Sequence, residues 1–263
     1  MKKNTVIMIA NQKGGVGKTS TSKELAYIFG KSGKKVLAVD LDPQMGLTLR
    51  TDVDRDKRTV MGVLEGYIEA SEAVKTTKYY DMLTGDDKLK NALLVFQEDE
   101  DKTALKEILG ELDYDVIILD TPPQNETISD MAIIASDFII VVADATGDAL
   151  TGIGKMKNSV ERYKAAGLSK ATFLGSLLTN VQMQFGKPTT SYQERYEELQ
   201  TVVKDLIDAE PFETYIRQHD KLRSANNAQM AVNEYDATAS AAQDYLMFST
   251  EVEQKVNHLQ KEA

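Results

Sequence analysis

The sequence of 263 residues contains no cysteine. That absence excludes disulfides, thiolate metal centres, iron–sulfur clusters and thiol nucleophiles together, and it leaves the redox compartment open. No apolar run approaches the length that spans a bilayer. The short stretch Thr5–Ala10 leads into glycines and not into a cleavage site, so it does not read as a signal peptide. The expected location is the cytoplasm. Positive charge is also scarce: 31 Lys and Arg face 41 Asp and Glu, for a net charge of −10. Whole-surface affinity for nucleic acid or anionic lipid is therefore not expected, and any such binding must come from a local patch. Internal repeats, low-complexity tracts and linkers rich in Pro, Gly or Ser are absent too. Residues 1–263 read as one domain.

What is present is an alternation of short apolar runs with longer helical patterns. Strands are expected at Val6–Ala10, Val36–Asp40, Asp81–Leu83, Val116–Asp120, Phe138–Ala143 and Phe173–Thr179, with a weaker candidate at Phe212–Ile216. Several are apolar almost throughout, as strands covered on both faces are. Helices fit Lys18–Lys31, Lys102–Leu112, Glu126–Ala135, Leu150–Ala166, Thr190–Ile207 and roughly Ala239–Gln260. In the last, Tyr245, Val252, Val256 and Leu259 share one stripe. The acidic run Glu98–Asp101 reads as a solvated turn. The fold class is α/β, a mostly parallel twisted sheet with helices on both faces.

Between the first strand and the first helix lies Lys13-Gly14-Gly15-Val16-Gly17-Lys18-Thr19-Ser20. Glycines there let backbone N–H groups curl around phosphate oxygens, and the helix N-terminus adds its positive dipole end. Lys18 would reach the β- and γ-phosphates of ATP, and the Thr19 hydroxyl would ligate Mg²⁺. The flanking strand and helix and the Gly-Lys-Thr order argue against a ligand-free glycine turn. A dinucleotide site is excluded, because Ser20 stands where a third glycine is required. The ordinary phosphate-loop pattern also requires glycine at position 12, where Gln12 stands, followed by Lys13. A second lysine suggests a second phosphate contact; a solvent-exposed lysine is the alternative.

Two strands end in carboxylates. Asp40 and Asp42 are two residues apart on extended chain, so both could face the phosphates. Val116–Asp120 is an apolar strand ending in Asp, the arrangement that holds Mg²⁺, usually through water.

Together Asn11–Thr19, Val39–Gln44 and Leu119–Pro123 resemble the motifs of the ParA/MinD group of deviant-Walker P-loop ATPases. The likeness is greatest to short, Soj-like ParA-type partition ATPases. Ala149–Ile153 and Thr214–Asp236 resemble two looser motifs of that group. The resemblance implies an ATP-sandwich homodimer in which Lys13 crosses to the partner's phosphates. It implies that Asp42 positions or activates the attacking water, that Asp40 and Asp120 support Mg²⁺, and that Thr121–Gln124 forms a γ-phosphate switch. Gly14–Ser20 would hold the nucleotide phosphates. Asn180 matches a position that recognises adenine in relatives, although a turn asparagine fits it equally.

Relatives that need cysteines, the nitrogenase iron protein and the arsenite ATPase, are excluded. The mixed charges of Glu251–Ala263 do not resemble a basic membrane helix, so no membrane partner is expected. No terminal tyrosine cluster of a bacterial tyrosine kinase is present, and the phosphate loop begins too early for a preceding helix-turn-helix domain. The resemblance then implies slow hydrolysis stimulated by a ParB-like activator, and ATP-dependent binding of DNA without sequence preference. Such DNA contacts would map to Arg217, Lys221 and Arg223, the only compact basic cluster. Between Lys187 and Glu213, by contrast, three basic residues face seven acidic ones. A regulatory ATP switch that positions or assembles a protein cargo without DNA is the alternative function.

Overall fold

The computed structural model describes residues 4–144 and 149–262. Seven strands form its main sheet: β1 (Thr5–Ala10), β2 (Val36–Asp40), β3 (Lys75–Thr76), β4 (Asp81–Leu83), β5 (Val116–Asp120), β6 (Phe138–Asp144) and β7 (Thr172–Thr179). Their order is β3-β4-β2-β5-β1-β6-β7, and every pair is parallel except the short edge pair β3–β4. The main helices are α1 (Lys18–Lys31), α2 (Ala104–Gly110), α3 (Glu126–Ala135), α4 (Ala149–Ala165), α5 (Thr190–Ile207), α6 (Asp220–Asn227) and α7 (Ser240–Glu262).

Alternate residues of each central strand feed two separate cores, because strand side chains point to opposite faces in turn. Val6, Met8 and Ala10 of β1 join a core completed by α2, α3, α4 and α5. Ile7 and Ile9 join the other, completed by α1 and α7. Each face thus buries a continuous apolar layer, which is why the strands read as unbroken hydrophobic runs. Tyr245, Val252 and Val256 of α7 are all buried, and Leu259 packs against them partly buried, so the expected stripe is the helix's inner face.

Three sequence expectations need correction. Phe212–Ile216 is not a strand, although it runs along the free edge of β7. Phe212 and Ile216 donate to the carbonyls of Ser176 (3.0 Å) and Leu178 (2.8 Å). Between them the amides of Glu213 and Thr214 turn instead to the Glu251 carboxylate on α7 (2.8 and 3.1 Å), which interrupts the ladder. This crossing needs Gly175: the residue follows a bulge in β7, and a Cβ there would lie 2.4 Å from the Glu210 carbonyl. The expected helix Lys102–Leu112 is shorter, with a 3₁₀ turn at Asp101–Thr103 leading into α2. The acidic run is not merely solvated, since Asp99 pairs with Lys102 (2.8 Å) in a cluster that includes Asp130, Arg162 and Tyr163.

Candidate active site at the carboxyl edge of the sheet

Parallel strands place their carboxyl ends along one edge, and ligands bind there where the strand order reverses. Here β1 lies between β5 and β6, so the loop after β1 is flanked by Asp120 on one side and Asp144 on the other. Gly15 and Gly17 have φ of 79° and 96°, in the left-handed region that glycine enters without steric cost. Gly17 occupies the N-cap position of α1 with no side-chain cap, which leaves the first-turn amides of the helix available to an anion. The Thr179 hydroxyl at the end of β7 ties the loop down by donating to the Val16 carbonyl (2.5 Å).

Lys18 is buried at the start of α1, and its ammonium donates to the Lys13 carbonyl (2.9 Å). Burial lowers its pKa, against which the charges of Asp120 and Asp42 act. Thr19 donates its hydroxyl to Asp120 Oδ2 (2.9 Å), and the Ser22 hydroxyl lies 2.9 Å from Oδ1 of the same carboxylate. Asp40 and Asp120 are fully buried and face each other in register across β2 and β5. The carboxyl of each is pushed above the ordinary range, first by burial; for Asp120 the charge of Asp40 adds to it, and for Asp40 that of Asp42.

Asp40 and Asp42 are bonded differently. Asp40 Oδ2 accepts from the Thr48 amide (2.8 Å) and hydroxyl (2.7 Å), while Oδ1 accepts from the Asp42 amide (3.1 Å). Asp40 is therefore the anchor of the loop 42–48. Asp42 is only partly buried, and its Oδ1 accepts from the Gln44 amide (2.8 Å). Beyond it the helix Gly46–Leu49 packs Gly46 close to Thr19, where a Cβ would lie 3.2 Å from the threonine hydroxyl. On the other side, Thr121 donates to the Ile9 carbonyl (2.8 Å), and Asn125 caps α3 through the Ile128 amide (3.2 Å). Thr121–Asn125 also line a 570 Å³ cavity together with Gln12 and Met156 of α4.

The donor set fits Mg²⁺. A hydroxyl and one carboxylate meet beside a phosphate loop, and this cation is held by few protein ligands, with waters and phosphates completing its shell.

Lys13 does not point to Lys18. Its ammonium pairs with Asp144 at the end of β6 (2.9 and 3.1 Å). Asn11 shapes this turn, accepting from the Lys13 amide (2.8 Å) and donating to the Val142 carbonyl (2.6 Å). Asn180 follows β7 with φ of 57°, and its carbonyl accepts from the Tyr192 hydroxyl (2.7 Å), so it is a turn residue beside the clamp on the loop. Of the looser motif Ala149–Ile153, the side chains of residues 149–152 lie outside the described residues.

The basic cluster is divided. Arg217, partly exposed, is bound bidentately by the buried carboxylate of Asp244 (2.6 and 2.9 Å), so its charge is neutralised within the protein. Lys221 is exposed, 3.5 Å from Asp236, and Arg223 is exposed on the same helix.

Sequence reasoning missed three contributors. Asp144 meets the strand-terminal criterion that singled out Asp40 and Asp120, had β6 been extended by one residue. Lys23 and Glu24, in the middle of α1, are buried charges. Lys23 donates to Asn226 Oδ1 and the Met230 carbonyl (both 2.6 Å), and more distantly to the Arg50 carbonyl (3.4 Å); burial lowers its pKa to about 8. Glu24 accepts from the Val232 amide (2.6 Å). The signal available was two adjacent charges immediately before the apolar run Leu25–Phe29 of the same helix.

Comparison with known proteins agrees with this geometry. A family model described as AAA domain matches residues 4–172. The chain is 30% identical over 251 residues to the chromosome-partitioning ATPase Soj of Thermus thermophilus, covering 95% of this chain and 96% of that protein. It is 27% identical over 251 residues to the Soj of Treponema pallidum, covering 94% and 96%. The solved structure of apo McdA from Cyanothece superposes with a TM-score of 0.80 at 22% identity, over 94% of this chain and 98% of that one, a likeness of fold. With a matching phosphate loop, two buried strand-terminal aspartates and relatives that extend along nearly its whole length, the chain belongs to the ParA/MinD-type P-loop ATPases.

Proposed function

We propose that this ATPase acts as a dimerising switch that partitions or positions a DNA element, binding DNA without sequence preference in its ATP state. The observation that carries the reading is the placement of Lys13. It stands at the mouth of the phosphate loop, held by Asp144, while Lys18 alone fills the inner position. A lysine outside its own loop suits phosphates on a second copy of the chain.

In this reading Gly14, Gly15, Val16, Gly17, Lys18, Thr19 and Ser20 cradle the ATP phosphates, and Asn180 lies beside the base. Thr19 and Asp120 hold Mg²⁺, which would supply charge neutralisation of the phosphates. Asp40 supports that metal at one remove, by fixing the loop that carries Asp42. Asp42, partly exposed and lightly bonded, orients the attacking water. Phosphoryl transfer depends on positioning and charge stabilisation, so a site completed by Lys13 of a second copy hydrolyses slowly until dimerisation and an activator complete it. A homodimer, a ParB-like activator, the cytoplasm and the nucleoid are the partners and places this function implies, and residues 1–263 act as one domain. Among the described residues no helix is long and apolar enough to cross a membrane.

A second reading, an ATP switch for a protein cargo without DNA, is favoured by one observation: Arg217 spends its charge on Asp244. The two are separated by measuring binding to random-sequence duplex DNA with and without Mg·ATP. The first reading requires ATP-dependent binding at low salt that disappears at high salt. No binding at low salt would leave the second.

A further inference from the structure

Beyond β7 the chain forms a small hairpin, β8 (Met183–Gln184) and β9 (Lys187–Pro188), with Gln184 opposite Lys187. The two linking residues, Phe185 and Gly186, have φ of 50° and 78°. Positive φ at both central positions is the type I′ arrangement, in which Asn-Gly is the favoured pair. A bulky side chain at the first position is strained, and such strain persists where the residue does something else. Phe185 is 97% exposed. The ring therefore gains nothing from the core and is displayed at a conformational cost.

The hairpin stands against the start of α6. Val181 and Gln218 are hydrogen-bonded (2.9 Å), Val181 bridges Arg217, and Gln182, Met183 and Gln184 share a cleft with Gln218, His219 and Asp220. Exposed Lys187 lies on the hairpin itself, and exposed Lys221 and Arg223 follow on the helix. We infer that Phe185 is an aromatic wedge for duplex DNA, entering a groove and unstacking a base step while Lys187, Lys221 and Arg223 take phosphates. A two-stranded ribbon fits a DNA groove, and apolar side chains inserted between base steps add affinity that carries no charge. A lipid surface suits the tip less well, since the Phe185 neighbours Gln184, Gly186 and Lys187 are all polar or small. This inference rests on the DNA-binding reading above.

The experiment compares wild type, Phe185→Ala and Phe185→Asn, each with Mg·ATP, across a salt series on random duplex DNA. Both variants should bind roughly tenfold more weakly at every salt concentration. The slope of log affinity against log salt should be unchanged, since no charge is lost. Phe185→Asn should also melt at or above the wild-type temperature, because Asn-Gly suits the turn, so the lost affinity cannot come from misfolding. Variants that bind DNA like wild type overturn the wedge and leave the DNA reading standing. A wild type that binds no DNA overturns both. Wild-type sedimentation with phosphatidylglycerol vesicles that is lost in Phe185→Ala, with DNA affinity unchanged, assigns the ring to lipid and overturns it as well.

Discussion

Asp40 and Asp120 stand opposite one another at the ends of β2 and β5, both fully buried, with Leu41 donating its amide to the Asp120 carbonyl (2.9 Å). Two carboxylates so placed resist joint ionisation, and the fold holds them there nonetheless. Such an arrangement is unfavourable for the bare protein and suited to one that receives a cation.

A pH prediction follows from the sign of that effect. Both carboxyls have raised pKa values in the folded chain, so above the unfolded value of about 3.9 the folded state binds more protons than the unfolded state. Stability contributed by the pair is thus lost as pH rises from there through the raised folded values. Thermal unfolding between pH 5 and pH 8 should show a decline with pH that is smaller in Asp120→Asn and smaller in wild type with Mg·ATP. An equal decline in all three would mean that the pair does not titrate in this range.

Asp42 differs from Asp40 in burial and in bonding, and its removal should differ too. Asp42→Ala should unfold within roughly 1 kcal/mol of wild type, the range for a side chain with few buried partners. With Mg·ATP it should accumulate as dimer in sedimentation, with very low phosphate release. A monomeric or normally active variant would show that another group positions the water.

In the proposed dimer, Lys13 reaches the second copy only once its pair with Asp144 opens. Lys13→Ala should keep monomeric nucleotide affinity and lose hydrolysis; a loss of affinity as complete as in Lys18→Ala would place the lysine on its own nucleotide. Asp144→Asn should ease dimerisation. A partly exposed ion pair is worth about 0.2–1 kcal/mol, so releasing two of them should tighten the dimer roughly two- to thirtyfold. Analytical ultracentrifugation with a slowly hydrolysed ATP analogue measures this directly.

The three basic residues 217, 221 and 223 should separate by salt dependence. Breaking the Arg217 pair leaves the buried Asp244 charge without its counter-ion, held only by the residue 217 amide, so Arg217→Ala should lose about 3 kcal/mol of stability and leave the DNA salt slope unchanged. Lys221 and Arg223 alone give four phosphate contacts in a dimer and a slope of roughly −3.6, and Lys187 on the hairpin raises these to six contacts and roughly −5.4. Lys221→Ala should flatten it by one to two units, equally for all sequences. A slope altered by Arg217→Ala alone would return that residue to the DNA surface.

Much of this architecture was legible from sequence because the information is local. Apolar runs such as Val116–Asp120 are covered on both faces, and the phosphate loop is a contiguous pattern between a strand and a helix. What escaped depends on partners far along the chain. Phe212–Ile216 has the composition of a strand, but the Glu251 carboxylate captures two of its amides from 37 and 38 residues away. Arg217 reads as a surface cation until Asp244 is placed beneath it. Lys23 and Glu24 look like solvated helix charges until α6 and the residues after it close over them.

That closure links distant parts of the chain through one helix. The first turn of α1 holds Lys18 and Thr19, and the next holds Lys23 and Glu24, which grip residues 226–233 and the Arg50 carbonyl. Gln229 adds a bond to the Leu49 carbonyl (3.2 Å). In a map of mutational tolerance, positions 226–232 should therefore score with the nucleotide site rather than with the surface around them. The Asn226 side chain, the Met230 carbonyl and the Val232 amide act as the seat on which the phosphate-binding helix rests, so substitutions that shift them would register as lost ATP affinity with no contact to ATP.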